Sequence, residues 1–355
     1  MSETAAATKK GATRFASASD IKVGVIGYGG AFNMGRAHLN LMKEAGMTPH
    51  AVAEIDPERL KVATEEFPGI QTYASVDEML EKSDVNLVVI ITPHNTHAKL
   101  ALQCLKAGRH VVCEKPMAVT TEECDEMIAE AAKQNLVITT YHNRHWDGCV
   151  VQAVKKIIDE GAIGEIRRVE SHRGGYKAPR EWWRSSKSIS GGILYDWGVH
   201  ILEYALQLIR SDIVEVTGFA SYGHWAKTSN WGDDTNEDEA QAVIRFASGV
   251  WMSLRQSQID PIAPGGMLRI TGTEGTYVMD GGKWKIVKKV DGEDSIEQGD
   301  NPPNEYKHYY QNVADHLVKN TELIISPEWS RRPIHILDLA DKSAKAGKTL
   351  SAKYK

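Results

Sequence analysis

Between residues 20 and 140, short apolar runs alternate with longer mixed segments, and this alternation leaves few folds open. Residues 20–26, 49–53, 72–73, 86–91, 110–113 and 136–140 read as strands, the longer ones rich in Val and Ile. Residues 86–91 are almost wholly apolar, as a strand buried on both faces should be. Helices are predicted over residues 34–45, 57–66, 76–82, 97–107 and 121–134, between successive strands. Strand and helix in strict alternation specify a doubly wound parallel sheet with helices on both faces. Ligands of such sheets bind outside the carboxyl ends of the strands.

The first strand runs directly into Gly27-Tyr28-Gly29-Gly30. A strand, a glycine turn and a helix N-terminus make a pyrophosphate cradle, because glycines admit the anion and free N–H groups face it. The spacing departs from Gly-x-Gly-x-x-Gly. Phe32 stands where the third glycine belongs and the next glycine is Gly35, so three residues within Ala31-Phe32-Asn33-Met34 are inserted. Glu54 ends the second strand, 25 residues beyond Gly29, where an acid meets the adenosine ribose. An acid there repels a 2′-phosphate and favours NAD over NADP. Asp56, before Pro57, reads as a helix N-cap.

Polar clusters mark the other strand ends: Thr92-Pro93-His94-Asn95-Thr96-His97, Glu114-Lys115-Pro116 and Tyr141-His142-Asn143-Arg144. Lys115 sits at the edge where the cofactor should lie. A cation there can hold a substrate oxygen and favour its deprotonated form.

The second half has a different rhythm. After a helix at 150–159, strands are predicted over 166–174, 213–222, 240–248, 250–259, 267–271, 277–280 and 283–289, then helices over 301–319 and 333–345. This pattern describes a largely antiparallel sheet with one open face, which commonly pairs with a copy of itself, so a homo-oligomer is expected. Within it, Gly191-Gly192 releases the chain into an apolar helix over 193–209, with Leu194, Trp197, Ile201 and Leu208 at helical spacing. Asp196 and His200 are four apart and share a face. A carboxylate one turn before an imidazole can orient it and favour its charged form, one way to build a general base. In isolation the same spacing is an ordinary surface ion pair. It offers a metal two ligands and no nearby third, so no metal is expected. Trp182 and Trp183, followed by Arg184, cannot both point into one core. Flat indoles suit the C–H faces of a sugar.

The 355 residues suffice for two cores. The expected division is a disordered tail over 1–19, a dinucleotide-binding domain over 20–144 and a substrate-binding and oligomerisation domain over 145–355. The net charge of −5 gives no footprint for nucleic acid, and no apolar run reaches bilayer length. Four cysteines without Cys-x-x-Cys spacing suit a reducing, cytoplasmic compartment.

Together these residues resemble the glucose–fructose oxidoreductase / inositol dehydrogenase / rhizopine catabolism (Gfo/Idh/MocA) family, over nearly the whole chain from Ile21. The matching motifs are Gly27-Tyr28-Gly29 with Gly35-Arg36-Ala37-His38, Thr92-Pro93 with His97, Glu114-Lys115-Pro116, Asn143-Arg144, and Gly191-Gly192 with Asp196 and His200. The resemblance implies a Rossmann domain followed by an α/β domain with an open sheet. It also implies NAD(P)-dependent oxidation of a secondary hydroxyl of a sugar, polyol or glycoside, or reduction of the ketone. Lys115, Asp196 and His200 would be the catalytic group: His200 taking the hydroxyl proton, Asp196 orienting His200 or the substrate, and Lys115 holding the oxygen. Arg144, Trp182 and Trp183 would also meet the substrate. NAD would be held by Gly27, Gly29, Gly30, Ala31, Phe32, Asn33, Met34, Glu54, Thr92, Pro93, His94, Asn95, His97, Glu114, Lys115, Asn143, Trp183 and Arg184. The departures are the inserted turn, His94, and His145-Trp146 where Arg-Phe is commoner; the last two bear on substrate choice. Two other readings fit the same pattern. One is a redox-neutral enzyme that oxidises a sugar transiently so that a neighbouring C–O bond is eliminated. The other is a non-catalytic sugar or NAD sensor, against which the intact Lys115, Asp196 and His200 argue.

Overall fold

The apolar strands and their intervening helices assemble as the alternation requires. The computed structural model describes residues 14–262, 264 and 266–354. The first half comprises β1 (Lys22–Ile26), α1 (Met34–Glu44), β2 (Thr48–Ala53), α2 (Pro57–Glu66), β3 (Gln71–Tyr73), α3 (Val76–Lys82), β4 (Leu87–Ile90), α4 (His97–Lys106), β5 (His110–Cys113), α5 (Thr121–Lys133) and β6 (Ile138–Thr140). The six strands form one parallel sheet in the order β3-β2-β1-β4-β5-β6. Every residue of β4 and β5 is buried, consistent with helices on both faces. The order reverses between β1 and β4, and the two chains leaving those strands part there to open a crevice. Helix starts follow capping chemistry: Asp56 accepts the Glu58 N–H at 2.9 Å with Pro57 at the first position, and Thr120 with Glu123 closes a capping box.

The second half comprises α6 (Gly148–Val154), β7 (Ile166–Gly174), α7 (Lys187–Ser190), α8 (Leu194–Leu208), β8 (Ile213–Ser221), β9 (Glu239–Phe246), β10 (Trp251–Ser257), β11 (Leu268–Gly272), β12 (Thr276–Met279), β13 (Lys283–Val290), β14 (Glu293–Asp300), α9 (Lys307–Lys319), α10 (Pro327–Ala346) and β15 (Leu350–Ser351). Its nine strands run β14-β13-β12-β11-β7-β10-β9-β8-β15, all antiparallel except the β7–β10 pair. One face packs on α8 and α10, with Gly198 of α8 set against Leu254 and Leu337. The other face is open. It carries the ion pairs Glu215–Arg245 and Glu239–Arg255 beside exposed Phe219 and Trp251.

Several elements differ from expectation for identifiable reasons. Residues 14–19, expected to belong to a tail, are held in place: Arg14 N–H donates to Leu317 O, Phe15 packs edge-on against His110, and Ala18–Asp20 forms a 3₁₀ turn. Residues 1–13 lie outside the described residues. The last helix starts at Pro327 behind the N-cap Ser326, and Pro333 lies inside it. β14 carries no apolar alternation because almost all of it is exposed; it is the edge half of a hairpin turned at Asp291-Gly292. The helix expected over 150–159 begins at Gly148 and closes with a π-turn at Lys155–Asp159. The C-terminal helices cross back onto the first half. Tyr309, Tyr310, Val313 and Leu317 of α9 share a core with Val23, Val25 and Leu87, and Asp338 of α10 accepts both the N–H and the hydroxyl of Thr121.

Candidate functional site

One cavity of about 630 Å³ runs along the carboxyl ends of the parallel strands and reaches the N-terminal part of α8. It gathers most of the residues selected from sequence: Gly27, Gly29, Ala31, Phe32, Met34, Glu54, Thr92, Pro93, His94, Glu114, Lys115, Asn143, Arg144, Trp182, Trp183, Arg184, Asp196 and His200. Gly30, Asn33, Asn95 and His97 are not among its lining residues. Gly30 lies against the Arg59 guanidinium and Asn95 is exposed. Asn33 precedes α1 with a left-handed backbone, φ 50°. His97 is buried beneath the strand end, its ring nitrogens facing the carbonyls of Pro116 and Thr92 at 2.8 and 2.9 Å. These four belong to the motifs that border the cavity without lining it themselves.

The turn after β1 is built for close approach. Gly27 has φ +93°, and a Cβ there would stand 2.3 Å from Ile91 O. A Cβ on Gly29 would meet nothing within 4 Å, so the backbone borders open space, as a pyrophosphate requires. The insertion delays α1 to Met34 without loosening the turn. Gly35 takes over the packing duty of the third glycine, because a Cβ there would lie 2.5 Å from the Tyr28 ring. Glu54 accepts the N–H groups of Tyr28 at 2.5 Å, Ile55 at 2.7 Å and Asp56 at 3.1 Å. The acid at the end of β2 therefore ties the turn to the start of α2 while lining the cavity. The residues that could hold a dinucleotide, a bare-backbone turn at a helix start and an acid at the second strand end, fit that group.

Lys115 is positioned from two directions. Glu114 accepts the Lys115 backbone N–H at 3.0 Å and contacts His38 Nε2 at 2.9 Å, while His38 Nδ1 meets the Tyr310 hydroxyl at 2.5 Å. A helix of the first sheet and the C-terminal α9 thus hold this strand end together. Burial alone would raise the Glu114 carboxyl, but its hydrogen bond to His38 and the nearby His38 and Lys115 charges bring it below its ordinary value. Lys115 Nζ, largely buried, donates to Asp196 Oδ1 at 2.8 Å and to the Asp196 carbonyl at 3.1 Å. Arg184 Nε stands 3.6 Å from the same carboxylate oxygen. Burial would raise Asp196 as well; the charge and hydrogen bond of Lys115, helped by the Arg184 charge, outweigh it and keep the carboxyl ionised.

The expected relation between Asp196 and His200 is corrected. They do share a face of α8 and one cavity, but the carboxylate is committed to Lys115, and His200 Nδ1 is buried without a partner. Nor is the imidazolium favoured. Burial first, then the cations Lys115 and Arg144, hold His200 well below the usual histidine range, so it is neutral at pH 7. A short carboxylate goes to the unsatisfied ammonium beside it rather than reaching a full turn along its helix. The buried acid of α8 is Glu203, whose Oε1 lies 2.5 Å from His145 Nδ1. That pair and Trp146, packed on Tyr309, are not among the cavity's lining residues.

His94 Nδ1 donates to Ser190 O at 2.8 Å, which leaves Nε2 as a buried lone pair without a partner. Burial and the neighbouring His97 hold His94 neutral too. Trp183 stands edge-on to His94, with centroids 4.7 Å apart, and Trp182 leans on Phe32 of the glycine turn at 5.6 Å. The Arg184 guanidinium stacks on all three aromatics, Phe32, Trp182 and Trp183. Sequence reasoning missed Trp197. Counted there in the apolar stripe of α8, it lines the cavity between the guanidiniums of Arg144 and Arg173, 5.0 and 4.2 Å from the ring centre. Its spacing alone could not distinguish a core position from a cavity wall. Tyr141 was visible as a strand end, and its place in the lining was not assigned.

Comparison with known proteins agrees with this geometry. Residues 21–142 match the family model described as "Oxidoreductase family, NAD-binding Rossmann fold", and residues 151–278 match the GFO/IDH/MocA C-terminal domain. An uncharacterized oxidoreductase of Schizosaccharomyces pombe is 37% identical over 144 residues, 40% of this chain and 39% of that protein, so the match spans about two fifths of the relative's length. The scyllo-inositol 2-dehydrogenase (NADP(+)) of Bacillus subtilis is 24% identical over 370 residues, covering 94% of this chain and 96% of that one. The structure of a levoglucosan dehydrogenase in complex with NADH and levoglucosan superposes with a TM-score of 0.78 at 22% identity, over 94% of this chain and 99% of the other. Together, the two matched domains and the glycine turn place this chain in the Gfo/Idh/MocA family of oxidoreductases, with an NAD-binding Rossmann domain at its N-terminal side.

Proposed function

We propose that this chain oxidises a secondary hydroxyl of a sugar, polyol or glycoside, or reduces the corresponding ketone. The observation that carries this reading is the contact of Lys115 Nζ with Asp196 Oδ1 at 2.8 Å, in the same cavity as a neutral His200 and the Gly29 turn. Bound NAD supplies an acceptor for the hydride that leaves the carbinol carbon. The other tasks fall to side chains. Lys115 donates a hydrogen bond to the reacting oxygen and stabilises the charge that develops on it. Asp196 holds the ammonium in place. His200, uncharged at neutral pH, offers its lone pair to the hydroxyl proton. Trp182 and Trp183 present flat apolar faces to the ring of the substrate. Gly29, Ala31 and Met34 would border the pyrophosphate of the bound cofactor, and Glu54 would meet its adenosine ribose. The names of the inositol and levoglucosan dehydrogenases support this substrate class.

The same reading gives residues 20–144 the cofactor and residues 145–355 the substrate and the contacts between copies, made through the open sheet with Phe219 and Trp251. Four buried free thiols suit a cytoplasmic enzyme. No helix among the described residues is long and apolar enough to cross a membrane.

The test is incubation with NAD and a panel of polyols, sugars and glycosides, following reduced-cofactor absorbance and product mass together. Accumulating reduced cofactor with a product lighter by two hydrogens supports the proposal. Cleaved glycoside without reduced cofactor would replace it with redox-neutral elimination, and binding without any turnover would leave a sensor. Light scattering at micromolar concentration tests the oligomer, which a clean monomer contradicts.

A further inference from the structure

Beside the cofactor cavity lies a second one of about 320 Å³, and His94, Trp182, Arg184, Asp196 and Trp197 line both. It is the natural continuation of the reacting centre away from the glycine turn. Its charge inventory is one-sided. Arg173, Lys177, Arg180 and Arg184 line it against one acid, Asp196. That acid is already committed to Lys115 at 2.8 Å and Arg184 at 3.6 Å. Arg173, Lys177 and Arg180 make no ion pair among the described residues, although the chain as a whole is acidic, with net charge −5.

Arg173 is the most telling of the three. It is the penultimate residue of β7, is half-buried, and stacks on Trp197, the indole on which Arg144 also stacks. Arg144 has its own carboxylate, Asp147, at 3.0 Å. Arg173 has no such ion pair among the described residues; burial and the neighbouring Arg144 work against its charge, and the support it draws from Tyr204 and from Asp196, itself bonded to Lys115, leaves its pKa below the ordinary value. An uncompensated guanidinium costs free energy when it is drawn out of water, and a group that forms fork-shaped pairs with carboxylate or phosphate recovers it. Lys177 and Arg180 are exposed at the rim, where they would attract the same ligand from solution.

We propose that the substrate carries an anionic group, a carboxylate or a phosphate, which Arg173 binds with Lys177 and Arg180 while the reacting hydroxyl meets Lys115. The inference rests on the dehydrogenase reading for the position of the reacting carbon, but anion binding is measurable without turnover. This chemistry makes the preferred substrate a sugar acid or sugar phosphate rather than a neutral polyol.

The experiment pairs D-glucuronate, D-gluconate and D-glucose 6-phosphate with neutral D-glucose on the NAD-loaded protein. Calorimetry gives the dissociation constants, and absorbance of reduced cofactor gives kcat and KM. At least one anion should bind ten-fold or more tighter than glucose, with the preference shrinking as salt is raised, and Arg173→Gln should reduce that preference to near one. Because Arg173 stacks on Trp197, Lys177→Gln at the exposed rim serves as the second variant; it should reduce the preference by several-fold on an intact fold. Preference for glucuronate or gluconate assigns a carboxylate, and preference for the phosphate ester assigns a phosphate. Glucose binding as tightly as every anion, or a preference that survives both substitutions, overturns the proposal and leaves the dehydrogenase reading standing. Anion binding that is lost in Arg173→Gln without any cofactor reduction supports the anion site while refuting the dehydrogenase reading.

Discussion

Three buried histidines should set an acid limit on stability well above the range in which carboxylates titrate. His335 Nε2 accepts the Lys353 N–H at 3.0 Å. Its Nδ1 lies 3.1 Å from the Thr121 hydroxyl, which itself donates to Asp338 at 2.6 Å. Nδ1 therefore carries the one proton, and a second proton on Nε2 would face a backbone N–H. His110 Nδ1 accepts the Val137 N–H at 3.0 Å, with the same consequence. His142 is buried with neither nitrogen partnered. Burial depresses His110 to about 3 and His142 and His335 to about 4, from an ordinary 6.5. Because the folded values are the lower ones, the unfolded chain binds more protons below pH 6.5. The stability is fully present above that pH and is lost as pH falls toward 4. Each histidine forfeits about 1.4 kcal/mol per pH unit, hence about 2 kcal/mol at about pH 5, and the three together about 6 kcal/mol. That rivals the whole stability of many domains, about 5–15 kcal/mol. Urea unfolding followed by tryptophan fluorescence between about pH 7.5 and pH 5 measures the loss. His335→Gln, which keeps a donor and an acceptor but cannot titrate, should flatten the slope by close to one proton. Constant stability across this interval, or an unchanged slope in both His335→Gln and His110→Gln, refutes the reasoning.

The remaining predictions concern the candidate site. His200→Ala should lower the turnover number by about 10²–10⁴-fold, the usual worth of a positioned base, with NAD affinity kept within a few-fold. Since burial and Lys115 hold His200 far below 6.5, the wild-type turnover number should be flat in pH around neutrality, and any dependence on this group should lie on the acid side. Lys115→Met should reduce turnover and move that acid limb upward, because it removes the cation that most depresses His200; an unmoved limb would assign the titration to another group. Glu54→Ser should narrow the preference for NAD over NADP by about 1–2 kcal/mol, the scale of a lost charge-assisted hydrogen bond, and fluorescence titration with both dinucleotides reads it. Tighter binding of NADP to the unsubstituted protein would contradict the role given to Glu54.

Much of the site was legible because strand ends and helix faces are local properties. The polar residues that follow β1, β2, β4 and β5 border a crevice whatever packs over them, and most of Gly27 to Lys115 was placed on that basis alone. What was not legible is which ring of one polar cluster faces the cavity: His94 is turned by the carbonyl of Ser190, 96 positions away, while His97 is held beneath the strand end by the carbonyls of Thr92 and Pro116.

The sequence by itself determined the alternation that builds the parallel sheet, the glycine turn at its switch point, the acid ending β2 and the helix that carries Asp196 and His200. These follow from periodicity and backbone freedom, which act over a few residues. Only the tertiary structure decided that Asp196 serves Lys115, 81 positions earlier, rather than His200 on its own helix. The same holds for Tyr310, which reaches back 272 positions to His38, and for Arg173, left stacked on Trp197 without an ion pair among the described residues. A buried charge takes whichever opposite charge the packing brings within hydrogen-bond reach, and periodicity along one segment carries no information about that partner.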